Sequence, residues 1–285
     1  SSDLEELCGL FGYTKQAYYK RIKRADCKSI EVYTILSAVK QVRKKMPVCG
    51  VRKLKEYLAT EFRLKVGRDE LFNILRDEGM LIRKHRYKKR TTYSNHNMRV
   101  YKNAIKDVVP MRPNEVWVSD ITYIQYLDTD YYLFLIPDLY SRKIVGWCLS
   151  DNLGTDNAIA ALRMALKQRK DDKFLIHHSD RGCQYASYKY IALLKKHDIL
   201  PSMTENSDPK DNAVAERING IIKNEFLKYR NLTIQNIKSQ VANVIDIYNN
   251  YRIHLSIGNF TPEQVHSDAA QGKKLWKNYF FSQNI

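Results

Sequence analysis

The chain has 285 residues, is 44% hydrophobic and 28% charged, and carries a formal net charge of +17. That length favours two or three domains over one core, and the apolar share is that of a globular protein. No apolar run approaches the ~18–20 residues of a membrane span, no signal-peptide core is visible, and five scattered cysteines show neither a disulfide framework nor a zinc module. A reduced cytosol fits this composition. The chain opens on Ser1 rather than Met, which reads as a trimmed start. Its charge is uneven: residues 1–110 hold 26 Lys and Arg against 12 Asp and Glu, while residues 111–285 hold 22 against 19. The first part is therefore expected to bind a polyanion, with nucleic acid favoured over an acidic membrane or protein.

Residues 3–24 read as two short helices around a turn. Leu4, Leu7, Leu10 and Phe11 form an apolar stripe, Gly9 and Gly12 break it, and Thr14 caps the next helix, which ends in a basic run at 20–24. This hairpin, 1–28, reads as readily as a solvated amphipathic pair as a DNA-binding element. The next region, 29–90, begins with a helix over 30–45. Pro47 and Gly50 then precede a helix carrying Val51, Leu54, Tyr57, Leu58 and Phe62. Gly67 precedes another, with Leu71, Ile74 and Leu75 inward and Gly79 as its stop. Two helices about six residues apart, the second turning Arg68, Asn73 and Arg76 outward, match a helix-turn-helix. Arg83, Lys84, Arg86, Lys88, Lys89 and Arg90 follow, a charge run expected to track phosphates. Residues 91–112 read as a linker.

From 113 to 250 the pattern is that of an α/β domain. Three strands at 115–126, 131–137 and 143–149 are spaced like an antiparallel meander. A helix at 155–169, a strand at 174–177, a helix at 185–197 and a strand at 199–203 follow. Helices at 209–229 and 233–250 close the domain, and little order is expected in the extension 251–285 beyond 262.

Three carboxylates carry the chemistry of this domain. Asp120 lies mid-strand, where a charge is costly unless compensated. Asp180 follows an apolar strand and precedes Gly182, which allows a sharp turn. Glu216 lies on a helix started by Asp208, Pro209 and Asp211. Val214, Ile218, Ile221 and Ile222 face one way from that helix, and Glu216 faces the other with Asn212, Asn219 and Lys223. Acids delivered from separate elements can converge on two divalent cations. Asp138, in contrast, reads as structural, and Asp128 and Asp130 as turn formers.

The words around these acids are Trp-x-x-Asp-Ile-Thr-Tyr at 117–123, His-Ser-Asp-Arg-Gly-x-Gln-Tyr at 178–185 and Asp-Asn-Ala-x-x-Glu at 211–216, with 35 residues between Asp180 and Glu216. They resemble the second-reading-frame transposases of the insertion-sequence-three family, within the DDE transposase and retroviral integrase superfamily, from about residue 4 to about 265. The resemblance implies a ribonuclease-H-like catalytic domain behind a helical DNA-binding region. It implies two Mg2+ ions, which Mn2+ can replace, held by Asp120, Asp180 and Glu216. It further implies cleavage at element ends, joining of the freed 3′-hydroxyl through a circular intermediate, and at least a homodimer on double-stranded DNA. Lys223 stands where the family has a Lys or Arg against phosphate, about 10 Å up the helix from Glu216. Tyr-Asn-x-x-Arg-x-His at 248–254 puts Arg252 and His254 beside DNA, Asn212 and Asn219 are placed there too, and His178 supports the acids without ligating. Ser207, Arg217 and Ile257 depart from the family's usual Gly, Ser and Leu, which touches loop shape and end preference. The rival functions are a repressor with a decayed acid site and a ribonuclease-H-type nuclease. The intact acids oppose the first, and the basic helical half opposes the second.

Overall fold

The computed structural model describes residues 2–82, 98–106, 108–126, 129–205, 212–233 and 235–267. The basic run Arg83, Lys84, Arg86, Lys88, Lys89 and Arg90, most of the linker to residue 97, the helix start at 208–211 and the tail from 268 lie outside the described residues. The chain divides into two compact units, residues 1–84 and 85–285. No described helix is long and apolar enough to cross a membrane.

The first unit is helical: α1 (Ser2–Leu10), α2 (Lys15–Lys45), α3 (Val51–Glu61) and α4 (Arg68–Asp77). Thr14 caps α2 by accepting the Ala17 N–H at 3.1 Å. The two helices expected between 15 and 45 are one helix of 31 residues. No glycine or proline interrupts that stretch, so nothing opposes continuation through residues 25–29. Only the second half of α2 is packed, through Ile35, Ala38, Val39 and Val42, while Tyr18, Tyr19, Ile22, Ile30 and Tyr33 are exposed. Helix α3 lies against both α2 and α4, burying Leu54, Tyr57 and Leu58. Arg43 ties the two ends of the bundle together, donating to the carbonyls of Met80 at 2.8 Å and Cys49 at 3.3 Å. Gly79 stops α4 at φ +64°, where a side chain would be strained. Arg68, Asn73 and Arg76 point to solvent from α4.

The second unit is built on a five-stranded sheet of order β3-β2-β1-β4-β5. Strands β1 (Val116–Tyr126), β2 (Thr129–Pro137) and β3 (Ile144–Ser150) form the expected antiparallel meander, and β4 (Leu175–Ser179) and β5 (Ile199–Met203) add in parallel. Alternation along β1 sends Trp117 to one face and Val118 to the other. Trp117 joins Phe134, Ile136 and Val145 under α5 (Thr155–Gln168) and α7 (Tyr188–Lys196). Val118 joins Val116, Ile176 and Ala215 of α8 (Ala213–Ile221).

Three helical expectations are corrected. The helix at 185–197 is two, α6 (Cys183–Ala186) and α7, broken where the Ser187 hydroxyl caps the second by accepting the Tyr190 N–H. The long helix at 209–229 becomes α8, a π-helical segment Ile222–Phe226 and a 3-10 turn Leu227–Tyr229. Beyond α9 (Ile237–Asn250), the tail is ordered as far as α10 (Pro262–Ser267). There Val265 packs with Tyr140 and Ile257, and Glu263 meets Lys143 at 2.6 Å. Six residues are too few for periodicity to announce, so only contacts define α10.

Helix α5 approaches β3 closely because Gly146 has no side chain. A Cβ there would collide with the Ala161 carbonyl oxygen and lie 2.9 Å from Ala165 Cβ. Gly146→Ala should lower unfolding free energy by about 2–3 kcal/mol in urea titrations. Gly220→Ala, on α8 with nothing nearer than 3.9 Å, should be neutral or gain ~0.5–1 kcal/mol. Equal effects of the two would show that the close approach is not limiting.

Candidate active site

Parallel pairing of β1 with β4 places Ser119 opposite Ser179, so the next residues, Asp120 and Asp180, emerge side by side. β4 ends at Ser179 while β1 runs on to Tyr126, which opens this flank of the central strand. The Asp120 carboxyl is pushed up to about 7 by burial, then by the charge of Asp180 and, less strongly, of Glu216. Two hydrogen bonds pull the other way: the Ile121 N–H donates to Oδ1 at 2.9 Å and the Asn219 amide to Oδ2 at 2.8 Å. The three acids therefore share one electrostatic field. Asp180 Oδ1 accepts the Gly182 N–H at 3.0 Å. Gly182 is extended, at φ −60° and ψ 141°, so it makes no sharp turn as expected. Its missing side chain matters because a Cβ would press to 3.0 Å from Asp180 Oδ1 and 3.1 Å from Gln184 Oε1.

Glu216 is exposed on α8, with Ala215 and Ile218 buried beside it. The helix is docked by two asparagines that bracket the acid. Asn212 Nδ2 donates to the Ser119 carbonyl at 2.9 Å, and Asn219 holds Asp120. Both are buried, and each gives its amide N–H to β1. Lys223 stands in the π-helical segment rather than on an uninterrupted helix. Its Nζ lies 3.6 Å from the centroid of the Tyr123 ring, three residues past Asp120.

The donors suit a hard divalent cation, since all are carboxylate oxygens and their mutual repulsion is what a dication relieves. Asp120 and Asp180 are the more strongly coupled pair. Among the described residues no group of three His, Cys, Asp or Glu side chains is close enough to hold a metal.

Residues 110–209 match a family model described as Integrase core domain, and residues 197–262 match a second with the same description. The insertion element IS600 uncharacterized 31 kDa protein of Shigella sonnei is 33% identical over 93% of this chain and 100% of its own length. The transposase InsF for insertion sequence IS3A of Escherichia coli (strain K12) is 34% identical over 67% of each chain. The chain belongs to the IS3 family of DDE transposases. The catalytic core domain of HTLV-2 integrase, solved in complex with magnesium, is 23% identical to the transposase, covering 54% of this chain and 97% of that one at a TM-score of 0.45.

Behind the acids the transposase keeps a buried polar layer. His177 Nε2 meets Ser119 Oγ at 2.7 Å and the Tyr190 hydroxyl at 2.9 Å, and burial holds the ring neutral, down to about 3. His178, on the other side of β4, pairs Nδ1 with Ser202 Oγ at 2.8 Å. Arg181, missed in the sequence although it lies inside the motif, donates to the carbonyls of Thr204 and Glu205 and so ties the Asp180 turn to the end of β5. Asp138 is structural as read: it accepts from the N–H groups of Asn114 and Ser141 and the Ser141 hydroxyl.

The Tyr-Asn-x-x-Arg-x-His segment forms an internal clamp. Tyr248 donates to the Arg142 carbonyl at 3.0 Å, and the Asn249 amide bonds both N–H and carbonyl of Ile144. Arg252 is buried and donates to Glu225 Oε2 at 2.7 Å, with His254 Nε2 2.9 Å from its guanidinium. Arg252 and His254, the two residues of this segment expected beside DNA, are both buried here.

Stability should report the Asp120 carboxyl. Between about pH 4 and 7 the folded protein keeps a proton there that the unfolded chain has lost, so this contribution falls as pH rises through that window. His177 acts oppositely, losing stability as pH falls below about 6.5, where only the unfolded chain is protonated. Asp120→Asn removes the first effect alone. In chelator, the variant should exceed wild type in stability at pH 8, with the advantage fading towards pH 4. A pH-independent difference in urea unfolding would refute the assignment.

Proposed function

We propose that the transposase cleaves DNA at the ends of its element and joins the freed 3′-hydroxyl to a second strand, through a circular intermediate. The observation that carries this reading is the shared field of Asp120, Asp180 and Glu216. These residues would hold two Mg2+ ions, with Mn2+ able to substitute. Such ions supply charge to the attacking and leaving oxygens of an in-line displacement. Asn219 fixes the rotamer of Asp120, the Gly182 N–H fixes Asp180, and α8 carries Glu216 towards them. Lys223, whose ammonium lies over the Tyr123 ring, holds a phosphate beside the scissile one.

Double-stranded DNA is gripped by the first unit in this proposal. Helices α3 and α4 act as a helix-turn-helix with Arg68, Asn73 and Arg76 towards the duplex, and the basic run at 83–90 follows phosphates. Joining two ends calls for a dimer or larger assembly, acting in the bacterial cytoplasm where element and target DNA lie.

Asp120→Asn, Asp180→Asn and Glu216→Gln should each reduce cleavage and joining by about a thousandfold or more, as expected when a charge aimed at the transition state is removed, while DNA binding persists. Near-normal joining by Glu216→Gln would strike that residue from the site. A fragment of residues 1–108 should bind duplex DNA with steep salt dependence, because each neutralised phosphate releases counterions. Tighter binding by residues 109–285, in anisotropy titrations across salt, would reverse the proposed division of labour.

A further inference from the structure

The π-helical segment is where α8 stops being a simple amphipathic helix. The Leu227 N–H donates back to both Ile222 and Lys223 carbonyls, the wide turn that marks such an insertion. An inserted residue rotates everything after it, and such insertions recur at functional sites. Here the rotation has two visible consequences. Phe226 and Leu227 are buried, and Glu225 is turned towards the end of α9.

Glu225 uses both carboxylate oxygens. Oε2 accepts from Arg252 at 2.7 Å, and Oε1 meets Arg217 of α8 at 3.5 Å. Arg252 is itself fixed: His254 lies against its guanidinium, the Tyr248 ring stands edge-on to His254 at 5.1 Å, and Tyr248 and Asn249 are anchored to residues 142 and 144. The clamp thus runs from the β2–β3 turn through α9 to the π-helical segment. Two residues before Glu225, Lys223 sets its ammonium over Tyr123, on the strand that carries Asp120. An ammonium on a ring face gains from the ring quadrupole without losing its charge, so it remains able to meet a phosphate.

We infer that Tyr123 and the Glu225–Arg252 ion pair are positioning residues for Lys223. The ion pair holds the π-helical turn, the turn aims the lysine, and the Tyr123 ring stops the ammonium beside the strand that bears Asp120. The motif at 248–254 therefore acts on substrate through Lys223. This rests on the phosphate role proposed above for that lysine, but its first test needs no DNA.

In the full-length protein, 13C-dimethylation of lysines gives each ammonium a methyl signal, and the Lys223 signal is the one missing from Lys223→Arg. It should lie upfield in wild type and Tyr123→Phe, because the ring current shields it, and should lose that shift in Tyr123→Leu and in Glu225→Gln. An unshifted Lys223 signal in wild type, or one unmoved by Glu225→Gln, overturns the inference. Joining of labelled duplexes bearing the element's own ends supplies the second readout. Glu225→Gln should lower joining about tenfold in the wild-type background and scarcely at all in Lys223→Ala, the non-additivity of residues acting as a unit. Equal losses in both backgrounds would mean that the ion pair only holds the fold, and would overturn the inference. If circular dichroism shows Glu225→Gln unfolded, Arg252→Lys, which keeps the charge but not the fork, carries the same comparison. Normal joining by Lys223→Ala with the upfield signal intact overturns the phosphate role alone.

Discussion

A carboxylate in the middle of the central strand is the constraint on which the rest of this unit depends. β1 pairs on both sides, and Asp120 lies where burial, and after it the charge of Asp180, lifts its carboxyl towards neutrality. The fold answers by ending β4 one residue short of Asp180 and by bringing the amide of Asn219 across from α8. Burial, the neighbouring acid and the amide are set against one another, and the balance leaves a carboxyl that titrates near neutrality. A cation arriving there meets groups whose repulsion has already been arranged.

Helix α8 shows how polar residues can dock an element as firmly as apolar ones. Ile218 and Ile221 bury its apolar side, but registration along β1 comes from Asn212 on the Ser119 carbonyl and Asn219 on Asp120. A slip of one residue would strand two buried amides without partners, a cost of about 1–3 kcal/mol each. The same economy governs the end of α9. There Asn249 takes the place of a strand partner for Ile144, and Arg252 is tolerated in the interior because Glu225 meets it at 2.7 Å. These polar bonds set orientation, which apolar contact alone leaves loose.

The first unit has a different logic. Its packed half needs only the second part of α2 with α3 and α4, while the first part of α2 carries exposed tyrosines and most of its basic residues. Positive charge is what this unit presents, since residues 1–110 hold 26 Lys and Arg against 12 Asp and Glu.

The sequence by itself determined the chain order of strands and helices in the second unit, the elements that carry the three acids and the uneven distribution of charge. Each of these is local: alternation along a strand, a short word around an acid, a count of lysines. Burial of polar residues was decided only by tertiary structure. Asn212, Asn219, Arg252 and His254 look like surface residues in a linear reading, because polar side chains on a helix ordinarily face water. They are buried because β1, α8 and α9 close over them, and Asn212, Asn219 and Arg252 were each supplied with a partner far away in the chain. The π-helical turn at 222–226 belongs to the same class. No residue type announces it, and it exists because Glu225 must reach Arg252 while Phe226 and Leu227 stay in the core.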